Sequence, residues 1–491
     1  MPIDTTRTAA AAASTVRPPR RGLLGNAGWS ALDFWVQQAT ALAVFVVVGN
    51  MAGPAAVGLV TVAQLAVTLM MTLLLDGFSD ALVQRRELAP EHFDTAFWLL
   101  AGLGTAAGLL LWASALPVAV LFGEPDLGSL LPVFALGLPC VGVSAVYQSL
   151  LQRDLRFPAL AARAVLSQTA GFAVAVLMAR AGQGPWALAG YFLCVRAVDA
   201  AALAAISRRL PGRRWSRAAL ADIVGFGQHR VGNQLVGFVV MQVDRFSTGL
   251  FLGPTVVGLF STAERIATAL TGGLSGVLGR VAFPMLSARQ ADPVQFRQGL
   301  LDVLLVGNAV AFPAFAGLAL VSDDLVALLF SAEWAGAAAP LALLALAGIP
   351  HASNYILTAG INARGRPDLA VRYSLFIMAM RLAASLAAAP QGMMAVAAAN
   401  LVTTAGSAVV VLTFTRRHLQ GAAGLVARSL WAPAVATAAM AGGVAAAGAL
   451  LPGAPPSVLL PVKVAAGALC YGAALFPLAR RGLGRILARP I

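Results

Sequence analysis

Residues 53–59 read Gly-Pro-Ala-Ala-Val-Gly-Leu, and residues 253–259 read Gly-Pro-Thr-Val-Val-Gly-Leu. The match continues at the same offset, with Thr61, Ala63 and Gln64 falling on Ser261, Ala263 and Glu264. The chain is built twice. A unit of 200 residues is far longer than a solenoid repeat, which runs roughly 20 to 50 residues. In a chain this apolar it points to two related halves around a central path, the construction of many secondary transporters.

Hydrophobic residues make up 59% and charged residues 11% of the 491 positions, against about 25% charged in a soluble domain. The chain is an integral membrane protein. Apolar runs of about 20 residues span a bilayer as helices, and Pro, Gly or charge marks the turns between them. The segmentation gives fourteen spans, at residues 27–49, 57–78, 95–115, 128–150, 161–180, 184–206, 223–250, 256–276, 299–321, 337–360, 369–388, 391–414, 429–450 and 458–479. The expected fold is an all-α polytopic membrane protein of about fourteen transmembrane helices.

Basic residues test that segmentation, because Lys and Arg concentrate in short cytoplasmic loops. Fourteen spans put both termini and every loop from an even to an odd span on one side. That side takes all 34 basic residues except Arg180, Arg196, Arg230, Arg245, Arg265, Arg381 and Lys463; Arg163 is counted among its loop residues. The opposite loops carry acids such as Glu124, Asp126, Asp323, Asp324 and Glu333. Both termini are therefore expected in the cytoplasm. The formal charge of +14 fits topology and anionic lipid and argues against nucleic acid as a partner.

Both Gly-Pro copies follow an odd-numbered span, so the repeat is parallel. Two six-helix lobes with two added C-terminal helices result. The divisions are a disordered cytoplasmic tail at 1–24, a first lobe at 25–206, an Arg-rich linker at 207–222, a second lobe at 223–415, and the last two spans with a basic tail at 416–491. Cys140, Cys194 and Cys470 are scattered, as are His92, His229, His351 and His418, so neither a disulfide framework nor a metal site is expected. Lys463 is the only lysine and lies in no phosphate-binding loop, so ATP hydrolysis by that route is excluded. No cofactor is expected.

The first helix of each lobe carries a polar stripe. Asn26, Ser30, Asp33, Gln37 and Thr40 recur every three or four residues, which places them on one face. Span 7 has Arg230, Asn233, Gln234, Asp244, Arg245 and Thr248, and offset by 200 the two stripes are in register. An arginine at mid-helix costs about 2.5 to 3.5 kcal/mol on insertion scales and so faces a bundle interior or water. The candidate cavity residues are Arg245, Asp244, Arg230, Arg265, Glu264, Asp33 and Arg381, with Arg196 and Asp199 less favoured. Guanidinium groups in a cavity suit an anionic cargo. Neighbouring charges, Asp244 with Arg245, Glu264 with Arg265 and Asp199 with Arg196, could instead be ion pairs that lock helices. His351 and Asn354 read as packing residues.

Several stretches resemble bacterial polysaccharide transporters: Trp-Ser-Ala-Leu-Asp at 29–33, Asp-Ala-Leu-Val-Gln-Arg-Arg-Glu at 80–87, Asp-Thr-Ala-Phe-Trp at 94–98, Leu-Leu-Gln-Arg-Asp-Leu-Arg-Phe at 150–157, Gly-Pro-Trp-Ala-Leu at 184–188, Val-Asp-Arg-Phe at 243–246 and Phe-Pro-Met-Leu-Ser at 283–287. In this order they resemble the Wzx-type lipopolysaccharide and exopolysaccharide flippases of the multidrug/oligosaccharidyl-lipid/polysaccharide exporter superfamily, over about residues 25–300. The resemblance implies movement of undecaprenyl-diphosphate-linked oligosaccharide across the bacterial inner membrane by alternating access. It also implies arginines near the diphosphate and a coupling or charge-balancing role for Asp244. Its expected partners are the lipid-linked oligosaccharide, membrane lipids, a polysaccharide polymerase and a chain-length regulator, with the chain itself a monomer. Phe260 and Glu264 depart from the aromatic pattern usual there.

A lipid II flippase and a multidrug or cation antiporter of the same superfamily are the alternative readings. A membrane polysaccharide polymerase or ligase would need a sizeable outside loop with catalytic acids. The longest one here, residues 322–336, is short, so the chain is not expected to be an enzyme.

Overall fold

In the computed structural model, residues 23–75, 78, 90–415 and 421–487 are described; nearly all of the expected tail at 1–24, and the stretch 80–87, lie outside them. Every described span is helical. The helical stretch Leu23–Leu74 breaks at Gly53 (φ 80°, ψ 168°) into α1 (23–52) and α2 (54–74). Arg217–Ser287 breaks in the same way at Gly253 (φ 79°, ψ 174°) into α8 (217–252) and α9 (254–287). Only glycine takes this backbone conformation readily, and the proline that follows starts the next helix because its missing N–H is not needed there.

The other helices of the first lobe are α3 (Pro90–Ala113), the short α4 (Ala115–Phe122), α5 (Asp126–Arg153), α6 (Phe157–Arg180) and α7 (Pro185–Ser207). The second lobe adds α10 (Pro293–Leu320), the short α11 (Ser322–Leu329), α12 (Ala338–Ala363), α13 (Pro367–Ala388) and α14 (Met393–Thr415). Helices α15 (Ala422–Leu450) and α16 (Pro456–Leu487) follow. Among the described residues 12 helical stretches are long and apolar enough to cross a membrane. Two of them are broken pairs, which makes fourteen spans. The short α4 and α11 lie in loops that hydropathy leaves unstructured. Helix α8 starts at Arg217 rather than near 223 because Ser216 caps it, its Oγ accepting from Ala219 N at 3.3 Å.

The core reveals the shape. Around the two Gly-Pro turns one continuous apolar cluster is shared by both lobes, from Val44, Val57 and Phe134 to Val257, Phe260, Trp334 and Val396. Towards the opposite end it divides. There Leu75, Phe93, Leu100, Leu151 and Leu203 form a cluster within the first lobe, while Leu278, Leu286, Phe296 and Ile356 of the second form another, joined by Leu425 of α15. The two lobes thus share one core at the Gly-Pro end and have separate cores towards the other.

The linker is not loose. Gly212 N donates to Asp94 Oδ1 at 2.9 Å, Trp98 Nε1 donates to Gly212 O at 2.8 Å, and Ser216 N donates to Thr95 Oγ1 at 3.1 Å. Arg209 stacks on Phe93 at 4.3 Å and its carbonyl accepts from Tyr147. The stretch Asp94–Trp98 thus fastens residues 208–216 to the first lobe.

Helix α16 packs on α15, α10 and α11, and Lys463 Nζ meets Asp324 Oδ2 of α11 at 2.6 Å. Both side chains are mostly buried. Removing one partner of such a pair leaves the other charge uncompensated, so Lys463→Met is expected to lower stability by about 1–2 kcal/mol, discounted for partial exposure. Thermal unfolding in detergent checks this, and recovery in the exchanged pair Lys463→Asp with Asp324→Lys would identify the charge contact as the cause.

Candidate functional site

Successive residues on a helix point about 100° apart, and at Asp244 and Arg245 this separates two functions. Asp244 is 2% exposed and faces α13 and α14, where its Oδ2 accepts from Arg381 Nη2 and Asn400 Nδ2, both at 2.6 Å. Beside it Ser247 Oγ lies 2.6 Å from Ser385 Oγ. Arg245 turns to α9 instead. Its Nε donates to Glu264 Oε2 at 2.5 Å and its Nη1 to Gln242 Oε1 at 3.1 Å.

These groups meet at a cavity of about 290 Å³ lined by Gln242, Arg245, Glu264, Thr268, His351, Arg381, Asn400 and Thr404. Every lining residue comes from the second lobe. Two guanidinium groups, one carboxylate, an imidazole, two amides and several hydroxyls share one wall. Arg381 keeps its Nε buried and without a hydrogen-bond partner, a donor left over after Asp244 is satisfied. Charge here is retained in the interior by pairing, as a buried ion requires.

Arg265 leaves its own lobe. Its Nη2 donates to Gln64 Oε1 of α2 at 3.1 Å, and its guanidinium lies 4.8 Å over the ring of Phe45 of α1. It enters a small cavity whose other lining residues, among them Thr61, Leu188 and Tyr191, belong to the first lobe. The two lobes meet there along a seam. Thr61 Oγ1 and Ser261 Oγ, equivalent by the repeat, touch at 3.3 Å. A Cβ on Gly58 would stand 1.7 Å from Pro254 O, and one on Gly258 would stand 2.0 Å from Pro54 O. Farther out, Gly49 receives the ring of Trp334 and Gly249 that of Phe122, each ring coming from the opposite lobe. Asn50 closes the seam by donating to Leu329 O and accepting from Ser331 N.

In the first lobe Asp33 accepts from Gln37 at 3.1 Å and lies 3.7 Å from Arg163. Arg163 also pairs with Asp199 at 3.0 Å, while Arg196 is 3.9 Å from Asp199 and stacks on Phe192. Arg163 is not a loop residue. It lies in α6, 5% exposed, because carboxylates from α1 and α7 converge on it.

The structure thus brings Arg245, Asp244, Glu264 and Arg381 together, sends Arg265 to the seam, and places Asp33 in a separate cluster. The Arg230 side chain lies outside the described residues. Two of the three sequence-neighbour ion pairs are corrected: Asp244 pairs with Arg381 and Glu264 with Arg245, since adjacent helical residues do not face each other; the third, Asp199 with Arg196 three residues away, is present, with Arg163 the nearer partner of Asp199. Asn354 packs as expected, donating to Thr404 O and Ser407 Oγ, but His351 lines the cavity. Asn400 and Arg163 were missed; Asn400 in the run Ala-Ala-Ala-Asn was the available signal. Among the described residues no group of three or more His, Cys, Asp or Glu is placed to hold a metal ion.

Comparison with known proteins follows the same outline. The chain is similar to the lipopolysaccharide biosynthesis protein WzxC of Escherichia coli, 24% identical over 73% of each chain. It is also similar to the succinoglycan biosynthesis transport protein ExoT of Rhizobium meliloti, 28% identical over 65% of each. Its fold resembles that of the lipid II flippase MurJ in an inward closed conformation, with a TM-score of 0.74 and 12% identity over 93% of this chain and 99% of that one. The sequence model for polysaccharide biosynthesis proteins matches residues 47–339. That match takes in the seam, Asp244, Arg245, Glu264 and Arg265, and the chain belongs to the polysaccharide biosynthesis protein family.

Proposed function

We propose that this chain is a flippase that carries a lipid-linked oligosaccharide across the membrane by alternating access of its two lobes. The observation that carries the reading is the second-lobe cavity. Arg245 and Arg381 provide charge-assisted donors for a diphosphate, and Gln242, Thr268, Asn400 and Thr404 provide neutral hydrogen-bonding groups for sugar hydroxyls. Family membership and the transport relative agree with this cargo class. The undecaprenyl diphosphate carrier, the bacterial inner membrane as location, and a polymerase and chain-length regulator as partners belong to the same proposal.

Orientation follows from charge. The end at which the lobes have separate cores is the end at which α8 begins, beside the Arg-rich linker, so the positive-inside rule sets it in the cytoplasm. On that reading the Gly-Pro seam is the outer gate. A drug or cation antiporter would be served better by surplus carboxylates, whereas the lining of this cavity carries two arginines, Arg245 and Arg381, to one carboxylate, Glu264.

Proteoliposomes loaded on one leaflet with undecaprenyl-diphosphate oligosaccharide test the reading. The expected result is flipping by the native chain, lowered about 10- to 100-fold by Arg245→Gln, the effect of losing one charged contact of about 1.5–3 kcal/mol. Movement of cationic dyes without movement of the lipid-linked sugar would overturn it.

A further inference from the structure

The repeat makes Arg265 conspicuous. Offset by 200, the ion pair Arg245–Glu264 of the second lobe corresponds to Phe45 and Gln64 in the first. Arg265 sits on those two residues: it bonds Gln64 and stacks on Phe45. Its own counterpart is Leu65, so the crossing runs one way only. The second lobe reaches across the seam with a cation, and the first lobe answers with an amide oxygen and a ring, both neutral. The Arg265 Nε is buried without a hydrogen-bond partner. Its neighbour in sequence, Glu264, pairs with Arg245, and both line the cavity.

We infer that Arg265 is a positioning residue that couples the charge of the cargo to the seam: it holds the lobes together when the cavity is empty and loosens when an anion binds. This rests on the flippase reading. Neutral acceptors hold a guanidinium more weakly than charged ones. A diphosphate drawn to Arg245 offers Arg265 charged oxygens in its own lobe, in competition with Gln64 and Phe45. Transfer of the guanidinium from the first lobe to the cargo removes a cross-lobe contact at the moment the cargo is bound, and the outer gate can part. With an empty cavity the contact stays, which suppresses futile opening.

The test uses Thr61→Cys with Ser261→Cys, whose side chains touch at the seam, in a full-length chain with Cys140, Cys194 and Cys470 changed to alanine. The rate of disulfide formation under a mild oxidant reports seam closure, and inorganic diphosphate is the probe. With Arg265 present, diphosphate is expected to slow cross-linking about fivefold, the order set by exchanging neutral for charged partners. With Arg265→Leu, the residue found at position 65, the rate is expected not to respond. Gln64→Leu, which removes the acceptor from the first lobe, is expected to slow cross-linking even without diphosphate. Equal slowing in Arg265→Leu, or an unchanged rate in Gln64→Leu, would overturn the inference. Calorimetry separates the two levels: diphosphate that binds, weakly in Arg245→Gln, yet leaves cross-linking unchanged refutes the coupling alone. Diphosphate that does not bind at all refutes the cavity reading and the coupling with it.

Discussion

Asp244→Ala is expected to abolish export of surface polysaccharide while the protein still reaches the membrane. Asp244 is the one carboxylate that both Arg381 and Asn400 address, through a single oxygen. Removing it leaves the Arg381 guanidinium in the protein interior with no counter-charge, a loss of about 3–5 kcal/mol for a buried pair broken on one side. The damage concentrates where α8, α13 and α14 meet, at the wall of the cavity. Asp244→Asn separates shape from charge: it retains an acceptor for Asn400 but no charge for Arg381, and export is expected to remain below a tenth of normal, about the effect of 1.4 kcal/mol or more. Quantifying surface polymer against membrane protein level checks both variants. Normal polymer from either would remove Asp244 from the working site.

Gly58→Ala and Gly258→Ala are each expected to eliminate export as well, for a different reason. The added methyl would stand 1.7 Å or 2.0 Å from a proline carbonyl of the other lobe, far inside any non-bonded contact. The obstacle is backbone, which no rotamer change can clear, so the two turns must move apart and the seam cannot close. Each lobe keeps its own apolar cluster away from the seam, so insertion is expected to survive. Gly102→Ala in α3, with open space around its Cβ position, is the control; a mid-helix Gly→Ala change there favours the helix by up to about 1 kcal/mol and should leave export intact. Surface polymer at the control level in Gly58→Ala would show that the seam need not close.

The double construction and the number of spans were legible in the sequence because both are carried by local signals. Gly53 and Gly253 must be glycine for their backbone angles, and a span must be apolar for its length. Asp33 with Gln37 could be read for the same reason, since four residues along a helix return to one face. What could not be read was partnership between distant helices. Arg163 looked like a loop residue because hydropathy has no means of knowing that Asp33 and Asp199 arrive beside it. The pairing of Glu264 with Arg245 rather than Arg265, and the reach of Arg265 to the other lobe, depend on the angle at which α8, α9 and α2 pack. That angle is written in side-chain shape over many residues, not in any motif. The linker shows the same limit. Pro211, Gly212 and its arginines announce an exposed connection, yet Asp94 and Trp98 secure it.

The turn that marks the repeat meets its own copy. Gly58 faces Pro254 as Gly258 faces Pro54, and Thr61 faces Ser261. This is the isologous geometry of a two-fold homodimer, in which one patch is complementary to itself. A substitution on that axis must satisfy both copies at once, whereas a position away from it answers to one copy only. Phe45 could part from Arg245, and Leu65 from Arg265, without disturbing the axis. A symmetric seam thus joins two halves that differ away from it, the second presenting Arg245 and Arg265 where the first has Phe45 and Leu65.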